Sequence, residues 1–416
     1  MTKVLVTNVR DCRVCLLADS LELVVDLGIQ PHANHLLEKR EDDFQTFPLS
    51  LGRCRDCGAV QLIESLNRNL LFENYVWVTG TARATREFSK EFECLIAEVV
   101  GDYGSVMEVA SNDGTFLKPF IQKGKSVIGI EPAKNIADIA KGNGVPTVNE
   151  FFTLEFAEKY VSQFGCKDLV FARNVLAHVD EIHDFCKALS VVVSESGTVV
   201  VEVHYGLTVL DEVQFDSIYH EHIFYLTKAD IESILSRYGL EIYHATQGPI
   251  SGGSLIIFAS KNKAGRTASK NAIGLRDLEQ KRAITTREPW SHFAQRMNAI
   301  IADAISFLSK FDGDIYAFGA SARGIIFLQQ LYDHGFDRLA AVIDNSDLKV
   351  GKVIPKLSVS VISLDSLRFK SDTKPLILIT AWNFYDEIID QLREENVSCV
   401  VARAFPRWEA IDVGKV

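Results

Sequence analysis

Residues 105–132 read SVMEVASNDGTFLKPFIQKGKSVIGIEP, and this stretch decides the fold. An apolar run closes on Glu108 and gives way to a loop of small and polar residues, Ala110-Ser111-Asn112-Asp113-Gly114. A segment with helical patterning follows. A second apolar run, Val127 to Ile130, then closes on Glu131 and Pro132. Strand, tight loop, helix and a strand with a terminal carboxylate form the nucleotide-binding half of a doubly wound α/β fold. The loop chemistry then selects the ligand. A dinucleotide fingerprint needs three glycines to bring a pyrophosphate against backbone and a helix N-terminus. Here the loop has Gly114 with Asn112 and Asp113 beside it. A carboxylate repels a pyrophosphate but attracts a sulfonium and an amine. The stretch therefore predicts S-adenosylmethionine, with Glu131 on the ribose hydroxyls.

Outward from this unit, helical patterning runs over Ala84 to Val100 and again over Phe185 to Val193. Strands are expected at Asp168–Ala172 and Thr198–Val203. This alternation is the mark of a mostly parallel sheet with helices on both faces. Residues 261–310 are charged, helical in pattern and poor in glycine, and are expected to bridge domains. Past Phe311 a second Rossmann-like unit is expected. Asp314–Phe318 leads into Gly319-Ala320-Ser321-Ala322-Arg323-Gly324 and a helical run to Tyr332. Further strands follow at Leu339–Ile343, before Asp344, and at Pro375–Thr380. Backbone amides at that helix start, together with Arg323, are suited to phosphate. The glycine pattern itself signals a dinucleotide only weakly.

Near the start stand two C-x-x-C pairs, Cys12/Cys15 and Cys54/Cys57. Paired knuckles predict a tetrahedral zinc site of four thiolates, a filled shell with no open position and so a structural one. Leu21 to Gly28, between the pairs, reads as a strand and turn.

A chain of 416 residues exceeds one ordinary domain. The predicted divisions are a zinc-binding domain at 1–75, a methyltransferase domain at 76–300 and a C-terminal Rossmann-like domain at 301–416. With 47% hydrophobic and 24% charged residues the composition is globular. A net charge of −11 argues against nucleic acid. No apolar run reaches membrane-spanning length. The opening, MTKVLVTNVRDCRVC, lacks the apolar core of a signal peptide, so a cytoplasmic protein is expected. The partner expected is a small molecule, with no membrane and with the chain as a monomer or weak homo-oligomer.

Three features of the central block carry candidate chemistry. Asn174-Val175-Leu176-Ala177-His178 lies just past a parallel strand, where open α/β sheets bind ligands. Tyr219-His220-Glu221-His222 is a dense run of acid–base groups. Ser251-Gly252-Gly253-Ser254 permits close approach of a ligand. Histidine suits proton abstraction at neutral pH. Tyr and a second His can hold an oxygen on which charge develops. On a strand His220 and His222 would face one side, which also admits a metal pair.

In these motifs the chain resembles bacterial sugar C-methyltransferases, which methylate a carbon of nucleotide-activated 4-keto-deoxysugars. The resemblance spans nearly the whole chain, in CRVC, DLGIQPHANHL, FPLSLGRC, CGAVQL, EVASNDGTFL, GIEP, NVLAHV, FDSIYHEHIFYLT, GGSL, FGASARG, VIDNS and AWNF. It implies a structural zinc on Cys12, Cys15, Cys54 and Cys57. It implies a methyl-donor site of Glu108, Ala110, Asn112, Asp113, Gly114, Glu131, Pro132 and Asn174. His222 would be the general base, with His178, Tyr219, Glu221 and Tyr75 around the reacting sugar. Tyr75, Trp77, His220, Gly252, Arg323 and Asn383 would contact the substrate, the C-terminal domain holding much of the nucleotide diphosphate. Three positions depart from the family: Trp77 for a second tyrosine, Arg323 for a lysine and Ser251 for a histidine. The implied reaction is removal of a proton next to the keto group, at C3, and attack of the resulting enolate on the donor methyl. The rival readings are an NAD-dependent nucleotide-sugar oxidoreductase or epimerase, a non-catalytic zinc-ribbon adaptor, and a methyltransferase acting on nitrogen or oxygen.

Overall fold

The computed structural model describes residues 6–67, 78–261, 266–367 and 374–413. Two seven-stranded sheets dominate it. The central sheet runs, in spatial order, Glu241–Gly248, Ser254–Ser260, Val193–His204, Lys167–Arg173, Ser105–Val109, Ser126–Ile130 and Thr147–Val148. The five strands from Val193–His204 to Thr147–Val148 are parallel, and Ser254–Ser260 is antiparallel to both neighbours. Strand order reverses between Ser105–Val109 and Lys167–Arg173. Open α/β sheets bind ligands at such a reversal, off the carboxyl ends of the strands. These strands are continuous apolar runs because both faces are covered. Val199, Val200, Val201 and Val203 are all fully buried. The exception, Glu202, is also fully buried, and its carboxylate accepts hydrogen bonds from Arg173 Nε at 2.5 Å and Ser254 Oγ at 2.6 Å.

The second sheet runs Val353–Ile354, Val359–Ile362, Leu339–Ile343, Ile315–Phe318, Leu376–Ile379, Cys399–Arg403 and Glu409–Val413. Its five inner strands are parallel, and Ile315–Phe318 is where its order reverses. The charged segment between the sheets forms helices Lys270–Lys281 and Arg287–Lys310. The longer one buries Trp290, Phe293, Met297, Ile301, Ala304 and Leu308, a three-and-four spacing that lays one stripe against the core.

The helix after the first switch-point loop is shorter than its patterning suggests. Only Lys118–Gln122 is helical, and turns carry the chain from Ser111 to Leu117. The loop therefore does not open onto a long helix.

The N-terminal module has a three-stranded antiparallel sheet, Leu21–Pro31, Thr46–Cys54 and Val60–Leu62, and a two-stranded one, Val6–Asn8 with Glu64–Leu66. It touches both larger domains. Leu37 pairs with Val353 in the C-terminal sheet, and Gln61 pairs with Phe224, two residues past His222. No helix among the described residues is long and apolar enough to cross a membrane.

Candidate active site and cysteine cluster

A cavity of about 450 Å³ opens where the carboxyl ends of the central strands meet the first loop of the C-terminal sheet. Glu108, Ala110, Asn112, Glu131, Pro132 and Asn174 line one side, and Ser321, Arg323, Lys349 and Asn383 line another. His178, Tyr219, Glu221 and His222 lie on the same wall system. Residues as far apart in sequence as Glu108 and Asn383 are thus brought to one chamber.

The first side is acidic. Glu108 is buried, its Oε2 has no hydrogen-bond partner, and burial drives its carboxyl well above the ordinary range against the pull of Arg173. Burial likewise raises Glu131, although it accepts from the amides of Ala133 and Asn112, each at 2.9 Å. Ala110, Asn112 and Asn174 adopt positive φ of 55°, 48° and 51°. Non-glycine residues rarely hold that conformation, and it clusters at ligand sites. Here it turns the chain sharply enough to leave the strand ends open. An unpartnered buried carboxylate facing a cavity fits a cationic ligand such as a sulfonium amino acid.

Asp113 and Gly114 do not face the cavity. Asp113 accepts from the amide of Gly80 at 3.2 Å and from the hydroxyl of Thr115 at 3.0 Å. Gly114 packs on Val145, whose Cγ2 would lie 2.6 Å from an added Cβ. These two residues shape the loop from behind.

In the YHEH run the side chains diverge. His222 Nδ1 lies 3.0 Å from the carbonyl of Ser217, an acceptor, so Nδ1 carries the proton and Nε2 the lone pair. The hydroxyl of Tyr219 donates to that Nε2 at 2.7 Å. The His178 ring stands edge-on to His222 with centroids 4.8 Å apart. Burial holds His222 well below its ordinary pKa, and neighbouring His178 and His204 add to the effect. Burial also lowers His178, against the attraction of Glu221. Glu221 itself is buried, which opposes ionisation. Hydrogen bonds from His32 and Asn34 and the nearness of His178 outweigh that and keep it below the usual carboxylate range.

His220 points away from the cavity. It faces the carbonyl of Pro48 at 3.1 Å and packs edge-on to Phe47. The segment is a turn, not a strand, so the two-residue spacing does not put His220 and His222 on one side. Gly252 also serves packing, since an added Cβ would lie 2.6 Å from Trp382 Cη2. Arg323 reaches the cavity but is held by Asp216, with Nε and Nη2 each 2.9 Å from a carboxylate oxygen. Tyr75 and Trp77 lie outside the described residues.

Among the lining residues that escaped the sequence reading are Arg173, His204, Lys349 and Asn34. Arg173 sits over the Phe116 ring at 3.2 Å, and His204 ends the strand Val193–His204. Burial, then Arg323, pushes His204 down to about 3. Both lie at carboxyl ends of parallel strands, the same signal that pointed to Asn174. Lys349, 3.3 Å from Asp344, and Asn34, from the N-terminal module, had no such signal.

The four cysteine sulfurs lie within 4.8 Å of one another, with Cys12–Cys57 and Cys15–Cys54 each at 3.7 Å. Tetrahedral Zn–S bonds of about 2.3 Å require sulfurs about 3.8 Å apart, so the cluster fits zinc.

Comparison with known proteins agrees with this geometry. A family model described as "Putative zinc binding domain" matches residues 12–72, one described as "Methyltransferase domain" matches 82–245, and one described as "C-methyltransferase C-terminal domain" matches 249–401. C-methyltransferase NovU of Streptomyces niveus is 28% identical over 397 residues, 94% of each chain. Partial likenesses to solved structures include magnesium protoporphyrin IX methyltransferase of Synechocystis PCC 6803 with bound SAH. It is 16% identical and covers 47% of this chain and 92% of that one, at a TM-score of 0.35. The PH0226 protein of Pyrococcus horikoshii OT3 is 15% identical over 47% and 98% of the two chains, at 0.37. Such scores carry no weight beyond the description. The domain matches and the acidic switch-point cavity define an S-adenosylmethionine-dependent methyltransferase. More narrowly, the chain is similar to C-methyltransferases, with matches to a zinc-binding, a methyltransferase and a C-methyltransferase C-terminal domain in this order.

Proposed function

We propose that this C-methyltransferase acts on the carbon next to the keto group, C3, of a nucleotide-activated 4-keto-deoxysugar, with His222 as general base. The observation that carries the reading is the tautomer of His222. Its proton lies on Nδ1 toward Ser217, so Nε2 holds the lone pair, which accepts from the Tyr219 hydroxyl at the cavity wall. A methyltransferase acting on nitrogen or oxygen has a nucleophile with its own lone pair. A carbon acceptor must first lose a proton, and this site supplies an uncharged base for it.

When bound, the donor supplies an electrophilic methyl whose transfer leaves a neutral thioether. Glu108 would face the donor's amine and Glu131 its ribose, with Ala110, Asn112, Pro132 and Asn174 as the surrounding wall. As the Tyr219 O–H turns from Nε2 to the keto oxygen, His222 Nε2 takes the proton, and the C–H electron pair moves into a carbon–carbon double bond while the keto oxygen becomes an enolate. Tyr219 and His178 stand beside the base and are suited to hydrogen-bond that oxygen. As an oxygen electron pair re-forms the C=O bond, the C=C pair returns to C3 and would bond the methyl, whose bond to sulfur breaks with its electron pair left on the thioether. Low polarity around His222 favours its neutral form, so the base is ready at neutral pH.

The nucleotide handle belongs at the opposite end. Ser321 caps the twelve-residue helix Ala322–Asp333, whose N-terminal end meets the cavity with Lys349 and Arg323. Helix amides and cations favour a diphosphate there.

The test is incubation with methyl-labelled S-adenosylmethionine and a panel of nucleotide 4-keto sugars, read by mass spectrometry. Label on a sugar carbon is the expected outcome. Label on nitrogen or oxygen, or on no sugar of the panel, overturns the reading.

A further inference from the structure

The N-terminal module reaches further into the site than a structural zinc domain needs to. His32 Nε2 lies 2.8 Å and Asn34 Nδ2 lies 2.5 Å from the same oxygen of Glu221. A carboxylate oxygen only accepts, so His32 must donate from Nε2. His32 and Glu221 are removed from bulk water, at 8% and 1% exposure, and Asn34 is half-buried and lines the cavity. The same module holds the chain on both sides of Glu221. The Pro48 carbonyl faces His220, the amide of Leu62 donates to Ile223 at 2.7 Å, and the amide of Tyr225 donates to Val60 at 3.0 Å. Residues 220 to 225 are thus gripped from the zinc side while His222 faces the chamber.

We propose that His32 and Asn34 are positioning residues for catalysis: the zinc-binding module, through them, holds Glu221 as an aimed carboxylate beside His178, the ring that stands edge-on to His222. Two donors on one oxygen fix the carboxylate rotamer as well as its charge. An ionised carboxylate at that place attracts positive charge on His178 and strengthens that ring as a hydrogen-bond donor to the enolate oxygen. Glu221 is faced by His32 and Asn34 from the module and by His178 and His220 from the central domain. The module therefore completes the catalytic apparatus. A detachable fold prop would make none of these contacts.

This inference rests on the functional reading above, and its test is chosen to fail separately. Carboxyl NMR of 13C-glutamate-labelled protein reads Glu221 without any acceptor sugar, with Glu221→Gln to assign the signal. In His32→Leu the Glu221 midpoint is expected to rise by about one pH unit or more, and kcat on the methylated substrate to fall about ten- to a hundredfold. The KM for S-adenosylmethionine should stay unchanged. His32→Gln, which keeps an N–H donor, should recover much of both. If His32→Leu does not fold, Asn34→Ala reads the same carboxylate from the other donor. An unmoved Glu221 midpoint in the folded variant overturns the inference, whatever the substrate. An inactive wild type with a moved midpoint overturns only the sugar assignment.

Discussion

Two loops occupy the same topological place in the two large sheets, and they differ in every chemical respect. Each follows the first strand at a reversal of strand order. After Ser105–Val109 the turn is built from Ala110 and Asn112 at positive φ, no long helix starts, and the nearest side chains are Glu108 and Glu131. After Ile315–Phe318 the turn is Gly319 at φ 116°, where an added Cβ would lie 2.5 Å from that of Ala381. There a twelve-residue helix begins at once, and Arg323 and Lys349 stand beside it. One end of the cavity carries two buried carboxyl groups, and the other carries two cations, Arg323 and Lys349, each paired with an aspartate. The difference teaches that the fold chooses where a ligand binds, while the residues at the strand ends choose its charge.

The severest test concerns the junction between those ends. His222→Ala should lower kcat about 10²- to 10⁴-fold while the donor's Kd, measured by calorimetry, moves little. Near-normal turnover would remove His222 from the base role. The two ends themselves should respond oppositely. Glu131→Ala should weaken S-adenosylmethionine about ten- to a hundredfold and leave a nucleoside diphosphate nearly unaffected. Lys349→Ala should do the reverse, by about tenfold, with the wild-type diphosphate affinity falling as salt rises. If either substitution weakened both ligands alike, the cavity would not be divided by charge.

The smallest effect is in the pH response. Burial depresses His222, His204 and His178 alike, and His204 to about 3. If His222 is the base, as proposed, it is neutral through the physiological range, and the acid limb of kcat/KM should lie below the ordinary histidine value of about 6.5. A limb at pH 7 or above would contradict the burial of the base. Stability carries the same sign. These groups bind protons more readily when unfolded, so stability is full above about pH 6.5. It falls as the pH drops toward the folded values, by about 1.4 kcal/mol per unit for each such histidine. His220, pushed down to about 4 by burial, joins them. Denaturant titrations at several pH values check the slope.

Much of this was legible in the chain. Spacing alone predicts the four thiolates, because two C-x-x-C knuckles have few other uses. Apolar runs ending in Glu108 and Glu131 predict the switch-point loop, because a parallel strand buried on both faces must be apolar until it emerges. The helix Arg287–Lys310 follows from a stripe of period 3.6. In Tyr219-His220-Glu221-His222 the residue types could be read from the chain, but the directions of the side chains could not. His220 turns to Pro48 and His222 to the cavity because the segment is a turn, whose side chains obey no fixed period. Asp113 looked like a ligand group beside Asn112, yet its carboxylate ties the loop to Gly80 and Thr115.

What the sequence determined by itself, then, is the set of elements and the kinds of chemistry at their ends. Both follow from local rules of burial, period and charge. Only the tertiary structure decided which ends meet. Glu221 and Asn34 are separated by most of two domains, and no periodicity links them. They meet because the strand Val60–Leu62 docks on residues 223–225 and brings the N-terminal module over the site. Arg323 and Asp216 are likewise joined only when helix Ala322–Asp333 packs its Phe327 against Phe215. Such pairings are set by surfaces that exist once the domains have folded, and a linear pattern carries no record of them.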